Sequence, residues 1–306
     1  KQVVLMLDFY MFNTYKEQRP KAGHVGNYEE RLSVTADFTR NRRYPIRLFK
    51  DTLTSLISFE MLYESWNTVQ AQQPIAAGEL YKATLTPSGF WINDPAPHRS
   101  QRRVFHQIEK QYMTITWFPR PQKKFAMRRE DGSTNLVYLQ RIIADAHREG
   151  IDLRLGFMPF HARLAEAMRA VDIWDDFEQW KRDVVALVER EARQAGQPAF
   201  PLWDFTGYNS ITTEPVPSRE DDTTRMRWHL DPSHVSRATG DLVQTLLLET
   251  DGPRVVDFGR RVTAGNIEAY IERSRTQRAS YAQRFPGDIA EVLQRARQTD
   301  DWRRDA

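Results

Sequence analysis

The order of short apolar runs and amphipathic stretches in the second half of the chain constrains the fold most. Ile151 to Phe157 alternates apolar and polar residues before turning fully apolar, which predicts a strand that Pro159 ends. Helical spacing follows from Ala162 to Val171 and from Asp175 to Ala195, and Phe200 to Phe205 predicts another strand. Strand, helix and strand joined by short connections point to a parallel sheet covered by helices, an α/β fold. Val3 to Leu7 is continuous and β-branched at its start, as expected of a strand buried on both faces, and it ends at Asp8. Before Ile151, Ser133-Thr134 should cap a helix running to Gly150, with Leu136, Leu139, Ile142, Ile143 and Ala146 on one face.

The remaining stretches hang on this frame. Asn13 to Arg47 is polar, with Gly23 and Gly26, and the apolar positions 53, 56, 57, 61 and 62 predict a helix within Leu53 to Gln70. Residues 74 to 100, ending in Pro95-Ala96-Pro97, show no period and are given no regular structure. Residues 14 to 130 therefore read as an insertion, helical in part, in an α/β domain spanning residues 1 to 252. Ala238 to Glu249 predicts a helix with Leu242, Val243, Leu246 and Leu247 as its stripe, and residues 253 to 306 read as an Arg-rich helical tail. The apolar face of Gly265 to Arg297 is too narrow for an independent domain. It should form an interface with a partner chain or with the protein's own core.

Composition excludes several functions. The chain has 306 residues, and its longest clear apolar run, Val3 to Leu7, falls far short of the ~20 residues needed to cross a bilayer. Absence of cysteine excludes disulfides, thiol chemistry and Cys-ligated zinc. Lys and Arg number 44 against 41 Asp and Glu, with the two signs interleaved. Asn41-Arg42-Arg43 and Lys123-Lys124 are too short for a nucleic-acid footprint. The chain opens on Lys1-Gln2 and passes directly into a strand, which reads as a piece whose N-terminal portion is missing.

Polar residues should gather where ligands bind in such sheets, outside the carboxyl ends of the strands. Asp8 and Asn13 follow the first strand, His161 the second, and Asp204, Thr206, Tyr208 and Asn209 the third. Asp231-Pro-Ser-His234 lies in a loop before the last core helix. A carboxylate three residues before a histidine can accept one imidazole N–H and leave the other nitrogen facing a nucleophile, the acid and base of a hydrolytic triad. Each residue also has a plain structural role open to it: Asp8 as a backbone hydrogen-bond acceptor, His161 as a helix start, Asp231 as a loop cap. His229, Asp231 and His234 invite a metal reading, but Pro232 limits their convergence and no fourth ligand is evident, so neither metal nor cofactor is expected.

Asp231-Pro-Ser-His234, followed by the Gly240-containing helix, resembles the last sequence block of the SGNH (GDSL-like) hydrolase superfamily. Leu7 to Asn13, Phe157 to Ala162, Trp203 to Thr212 and Trp228 to His234 look like segments of membrane-anchored bacterial members. The resemblance implies a flavodoxin-like three-layer fold and an esterase or O-acyltransferase of the cell envelope, acting on an acylated small molecule or polysaccharide. His234 would be the base and Asp231 its orienting acid. It also implies an extracytoplasmic, membrane-anchored full-length form, without nucleic acid as partner. The family's Gly-Asp-Ser block has no counterpart here: Gly240-Asp241-Leu242 has leucine in the serine position, and Asp131-Gly132-Ser133 has the wrong order. The serine is expected upstream of Lys1. The family's Gly-x-Asn-Asp block would fall at Leu7 to Tyr10, with Asp8 its polar candidate near the oxyanion. The alternative is a catalytically silent SGNH-like binding or assembly module.

Overall fold

Alternating Leu153 and Leu155 and the apolar end at Phe157 make β4 (Asp152–Phe157) the best-buried strand of a four-stranded sheet. The computed structural model describes residues 1–17, 28–35, 39–76, 83–85, 91–93 and 100–304. β1 (Gln2–Leu7) pairs parallel to β4, with Val3 opposite Leu153 and Leu7 opposite Phe157. On its other side β4 pairs parallel to β5 (Leu202–Asp204), and β5 pairs antiparallel to the two-residue β6 (Arg260–Arg261). The sheet order is β1-β4-β5-β6. The α/β expectation holds, with a sheet that is mixed rather than wholly parallel.

β1 departs from expectation. Val3 and Val4 remain 43% and 44% exposed, and only Leu7 is buried. β1 lies at the edge of the sheet, paired on one side only among the described strands, so its apolar run does not imply burial on both faces.

Helices α4 (Leu136–Arg148), α5 (Ala162–Ala170), α6 (Trp174–Ala195) and α7 (Arg237–Leu247) lie where periodicity places them. α4 buries Leu139, Ile143 and Ala146 while Ile142 stays exposed. Its N-cap is Asn135 rather than Ser133 or Thr134. α6 ends at Gly196, whose φ of 63° gives the left-handed cap that glycine adopts without strain. Phe157, Phe177 and Trp180 form the aromatic centre of the core together with Phe9, which stands edge-on to Phe177 at 5.2 Å.

Two compact units emerge: residues 1–17 with 97–306, and residues 18–96. The first therefore takes in α3 (Gln101–Gln111), its π-helical extension Tyr112–Thr116, α8 (Ile267–Arg284) and α9 (Pro286–Arg304). Pro286 divides the single helical tail expected from sequence into two. Ile267, Ile271, Tyr281, Val292 and Ala296 are buried in the chain's own core. Charge fastens the same helices. Arg163 on α5 is fully buried and bonds Glu109 of α3 at 2.7 Å and Asp288 of α9 at 2.8 Å.

The second unit holds a 3-10 turn (Tyr28–Arg31), α1 (Tyr44–Leu56), α2 (Phe59–Ala76) and the antiparallel pair β2 (Ala83–Leu85) and β3 (Trp91–Asn93). The helix expected within Leu53 to Gln70 is thus two helices, and part of 74 to 100 is regular after all. Gly23, Gly26 and the Pro95-Ala96-Pro97 loop lie outside the described residues. Among the described residues no helix is long and apolar enough to cross a membrane.

Candidate active site

The loop carrying Asp231 is pinned before its side chains do anything. His229 and Val235 form an antiparallel bridge, and Leu230 N–H donates to the His234 carbonyl at 2.9 Å. The His161 amide donates to the Pro232 carbonyl at 2.9 Å, tying this loop to the start of α5. From α3, the Gln101 side-chain amide donates to the His229 carbonyl at 2.8 Å. Three backbone anchors and one side chain thus hold a loop that sequence alone marks only by Pro232.

Asp231 then does two things at once. Its Oδ1 accepts the amides of Ser233 at 2.8 Å and His234 at 2.9 Å, closing an Asx turn. Its Oδ2 lies 2.7 Å from His234 Nδ1. Burial raises the Asp231 pKa, but the hydrogen bonds from His234 and Ser233 outweigh it, and the carboxyl is held below its ordinary value. The hydrogen bond to Asp231 raises the pKa of His234 against partial desolvation, with the Asp8 charge adding to it. The ring is 68% exposed, and Nε2 has no hydrogen-bond partner among the described residues. This is an imidazole with one nitrogen fixed on a carboxylate and the other open.

Asp8, immediately after β1, faces the same region. Burial pushes its carboxyl up to about 6, opposed by the Tyr10 amide, Lys16 and His234. Tyr112, on the π-helical turn after α3, is pushed up to about 12 by burial, with the Asp8 and Asp231 charges adding to the effect. Lys16 sits 3.4 Å over the Tyr10 ring, and burial lowers its pKa while Asp8 opposes that shift. Asp8, Tyr112, Thr206 and Ser233 line a cavity of about 20 Å³ with Met158, Pro159 and Phe160 at its wall and Phe157, Phe177 and Trp180 within. Such a volume holds about one water or one methyl-sized group.

The other expected rim residues are bound into the fold. Asn13 is fully buried, donating to the Trp117 carbonyl at 2.9 Å and accepting the Tyr15 amide at 3.1 Å. His161 caps α5: its Nδ1 accepts the Arg163 amide at 3.1 Å, which leaves the proton on Nε2 to donate to the Glu214 carbonyl at 2.7 Å. Burial and neighbouring His229 hold it well below the usual imidazole pKa. Asp204 pairs with Lys181 at 2.7 Å and accepts the Thr206 amide. Tyr208 donates to Glu166, and Asn209 accepts the amides of Ile211 and Thr212. Strand ends bring these residues near the edge, but their polar atoms face inward. Tyr112, Lys16 and Gln101, which sequence reasoning missed, come from distant segments whose spacing carries no signal of convergence; Ser233 lies within the Asp231–His234 turn itself.

His229 is fully buried, edge-on to His161 at 5.0 Å, so it does not join His234 as a ligand. Among the described residues no group of three or more His, Asp or Glu side chains is placed to hold a metal ion. Comparisons with family models, curated proteins and solved structures give no match for this chain.

Proposed function

We propose that this chain supplies the acid–base half of an SGNH-like esterase or O-acyltransferase. The observation that carries the reading is the 2.7 Å bond from Asp231 Oδ2 to His234 Nδ1, with Nε2 left open to solvent. In that reaction a serine hydroxyl attacks an ester carbonyl while Nε2 takes its proton. The imidazolium then returns the proton to the departing alkoxide, leaving an acyl-serine. Water or an acceptor hydroxyl attacks that ester in turn, again with His234 as base. Asp231 holds the tautomer and stabilises the imidazolium. The reading takes its nucleophile from a preceding segment, as in the family the sequence resembles, and with that resemblance comes an acylated envelope molecule as substrate and an extracytoplasmic site of action. Asp8 and Tyr112 border the cavity where the acyl group would sit; the Tyr112 hydroxyl can donate to the developing oxyanion, and the Asp8 carboxyl can do so only while it keeps its proton.

The experiment is hydrolysis of an aryl acetate by the protein in its natural full length. His234→Ala should lower kcat/KM by at least ~10³-fold and Asp231→Asn by a comparable factor, since triad members act as a unit. Equal turnover in His234→Ala overturns the reading. A second reading, a silent binding module, has one observation in its favour: among the described residues no hydroxyl lies within hydrogen-bond distance of His234 Nε2. Absence of turnover in the full-length protein would select it.

A further inference from the structure

Helix α1 is built the wrong way round for a globular protein. Ile46, Phe49, Leu53, Leu56 and Ile57 follow helical spacing and form one apolar stripe. That stripe faces out: Ile46 is 72%, Phe49 70% and Leu56 74% exposed. The packed side is the polar one, where Asp51 takes Arg31 at 2.7 Å and Arg47 at 3.0 Å. α2 also exposes Phe59, Leu62, Tyr63, Trp66 and Val69, Phe59 by 91%, and its polar residues Glu60 and Glu64 are exposed with them. Apolar stripes exposed to this extent mark a contact with something.

Charge says with what. Arg40, Arg42 and Arg43 gather at the N-terminus of α1, where the helix dipole is already positive, and Lys50 flanks the stripe. Asp51 is occupied by its two arginines. At about 100° per residue, Glu64 falls on the side of α2 opposite Phe59, Leu62 and Trp66, while Glu60 flanks the stripe beside Tyr63. Glu30 engages Arg43 at 3.5 Å, which leaves Arg40, Arg42 and Lys50 as the cations beside the apolar face of α1. A second copy of the chain would set Arg40, Arg42 and Lys50 of one α1 against the same cations of the other. Basic rim, apolar stripe, Tyr63 at the boundary of the α2 stripe, and an α1 of only 13 residues together describe an element that lies in a membrane interface rather than crossing it.

We propose that α1 and the first half of α2 dock flat on a lipid surface bearing anionic headgroups, independently of any other segment. The test is co-sedimentation of the chain with vesicles of equimolar phosphatidylglycerol and phosphatidylcholine, against phosphatidylcholine alone. Two variants separate the contributions: Phe49→Ser with Phe59→Ser removes apolar area, and Arg42→Glu with Lys50→Glu inverts the rim. These side chains are exposed, so far-UV dichroism and melting temperature should stay unchanged and report folding. Each pair should weaken partition into the anionic vesicles by about tenfold or more, and salt should weaken that of the unaltered chain, because screening shortens to about 3 Å near 1 M. Equal binding to both vesicle types, or variants that bind as well as the unaltered chain, would overturn the proposal. So would failure to bind either vesicle. If light scattering then showed an oligomer that Phe49→Ser with Phe59→Ser disperses, the face would instead join copies of the chain.

Discussion

Asp8 carries a carboxyl that the fold prefers neutral. An ordinary aspartate titrates near 3.9, whereas burial sets this one at about 6. The sign follows directly. A carboxyl whose folded pKa is raised binds its proton more tightly in the folded chain, so its ionisation destabilises the fold as pH rises from about 4 to 6. Asp8→Asn should therefore stabilise the chain by roughly 3 kcal/mol in urea unfolding at pH 8 and by little at pH 4. A gain equal at both values would show that the carboxylate is well solvated. His229 makes a similar case through hydrogen bonding. Both its ring nitrogens are buried without a hydrogen-bond partner, while Glu214, 3.6 Å away, already accepts the amides of Arg227 and Trp228. An unpaired buried polar group costs ~1–3 kcal/mol, so the near-isosteric His229→Phe should raise the melting temperature by a few degrees. A drop would mean that the imidazole holds a bond through water.

Among the elements, those set by local pattern were legible and those set by distant partners were not. β4, α5 and α6 follow from alternation and helical spacing alone, and the Asp231–His234 bond follows from three residues of one turn. β1 was legible as a strand, whereas the burial expected on both its faces is not found, because apolar content does not say how many neighbours a strand has. The rim residues teach the same thing: a strand end places Asn13 or Asp204 near the carboxyl edge without saying which way the side chain turns. α3 went unread, since Gln101 to Gln111 buries only Phe105 among its apolar residues and is held by charge instead. That charge gives the element-scale prediction. Arg163, Glu109 and Asp288 join α5, α3 and α9 in near-complete burial, with Arg102 on Asp288 as well. Arg163→Met would leave buried Glu109 with only Arg295, at 3.6 Å, costing up to about 3–5 kcal/mol, whereas Arg163→Met with Glu109→Gln should recover much of it. Urea midpoints for the two variants decide it: equal midpoints would mean that Glu109 is satisfied without Arg163.

At the scale of the molecule, one sheet edge collects Asp8, the turn after β4, Thr206 and the Asp231 loop, while α8 and α9 brace α5 and α6 from outside. The site is thus a rigid edge with very little room. Its cavity of about 20 Å³ ends on Phe157, Phe177 and Trp180, which are among the most buried side chains of the core and cannot yield without opening it. If the proposed acyl transfer takes place there, the carbonyl lies near Asp8 and Ser233 and its methyl group enters the cavity. An acetyl ester fits; each further methylene must displace an aromatic ring or lie along the surface without burial. Hydrolysis of aryl esters by the full-length protein should consequently fall in kcat/KM from acetyl to butyryl by about tenfold or more, as overpacking a close-packed site costs ~1–3 kcal/mol. Trp180→Phe should narrow that ratio by enlarging the floor, with a melting temperature a few degrees lower, as a large-to-small core change requires. Equal rates on acetyl and octanoyl esters would place the acyl group outside this cavity altogether, on the exposed side of His234.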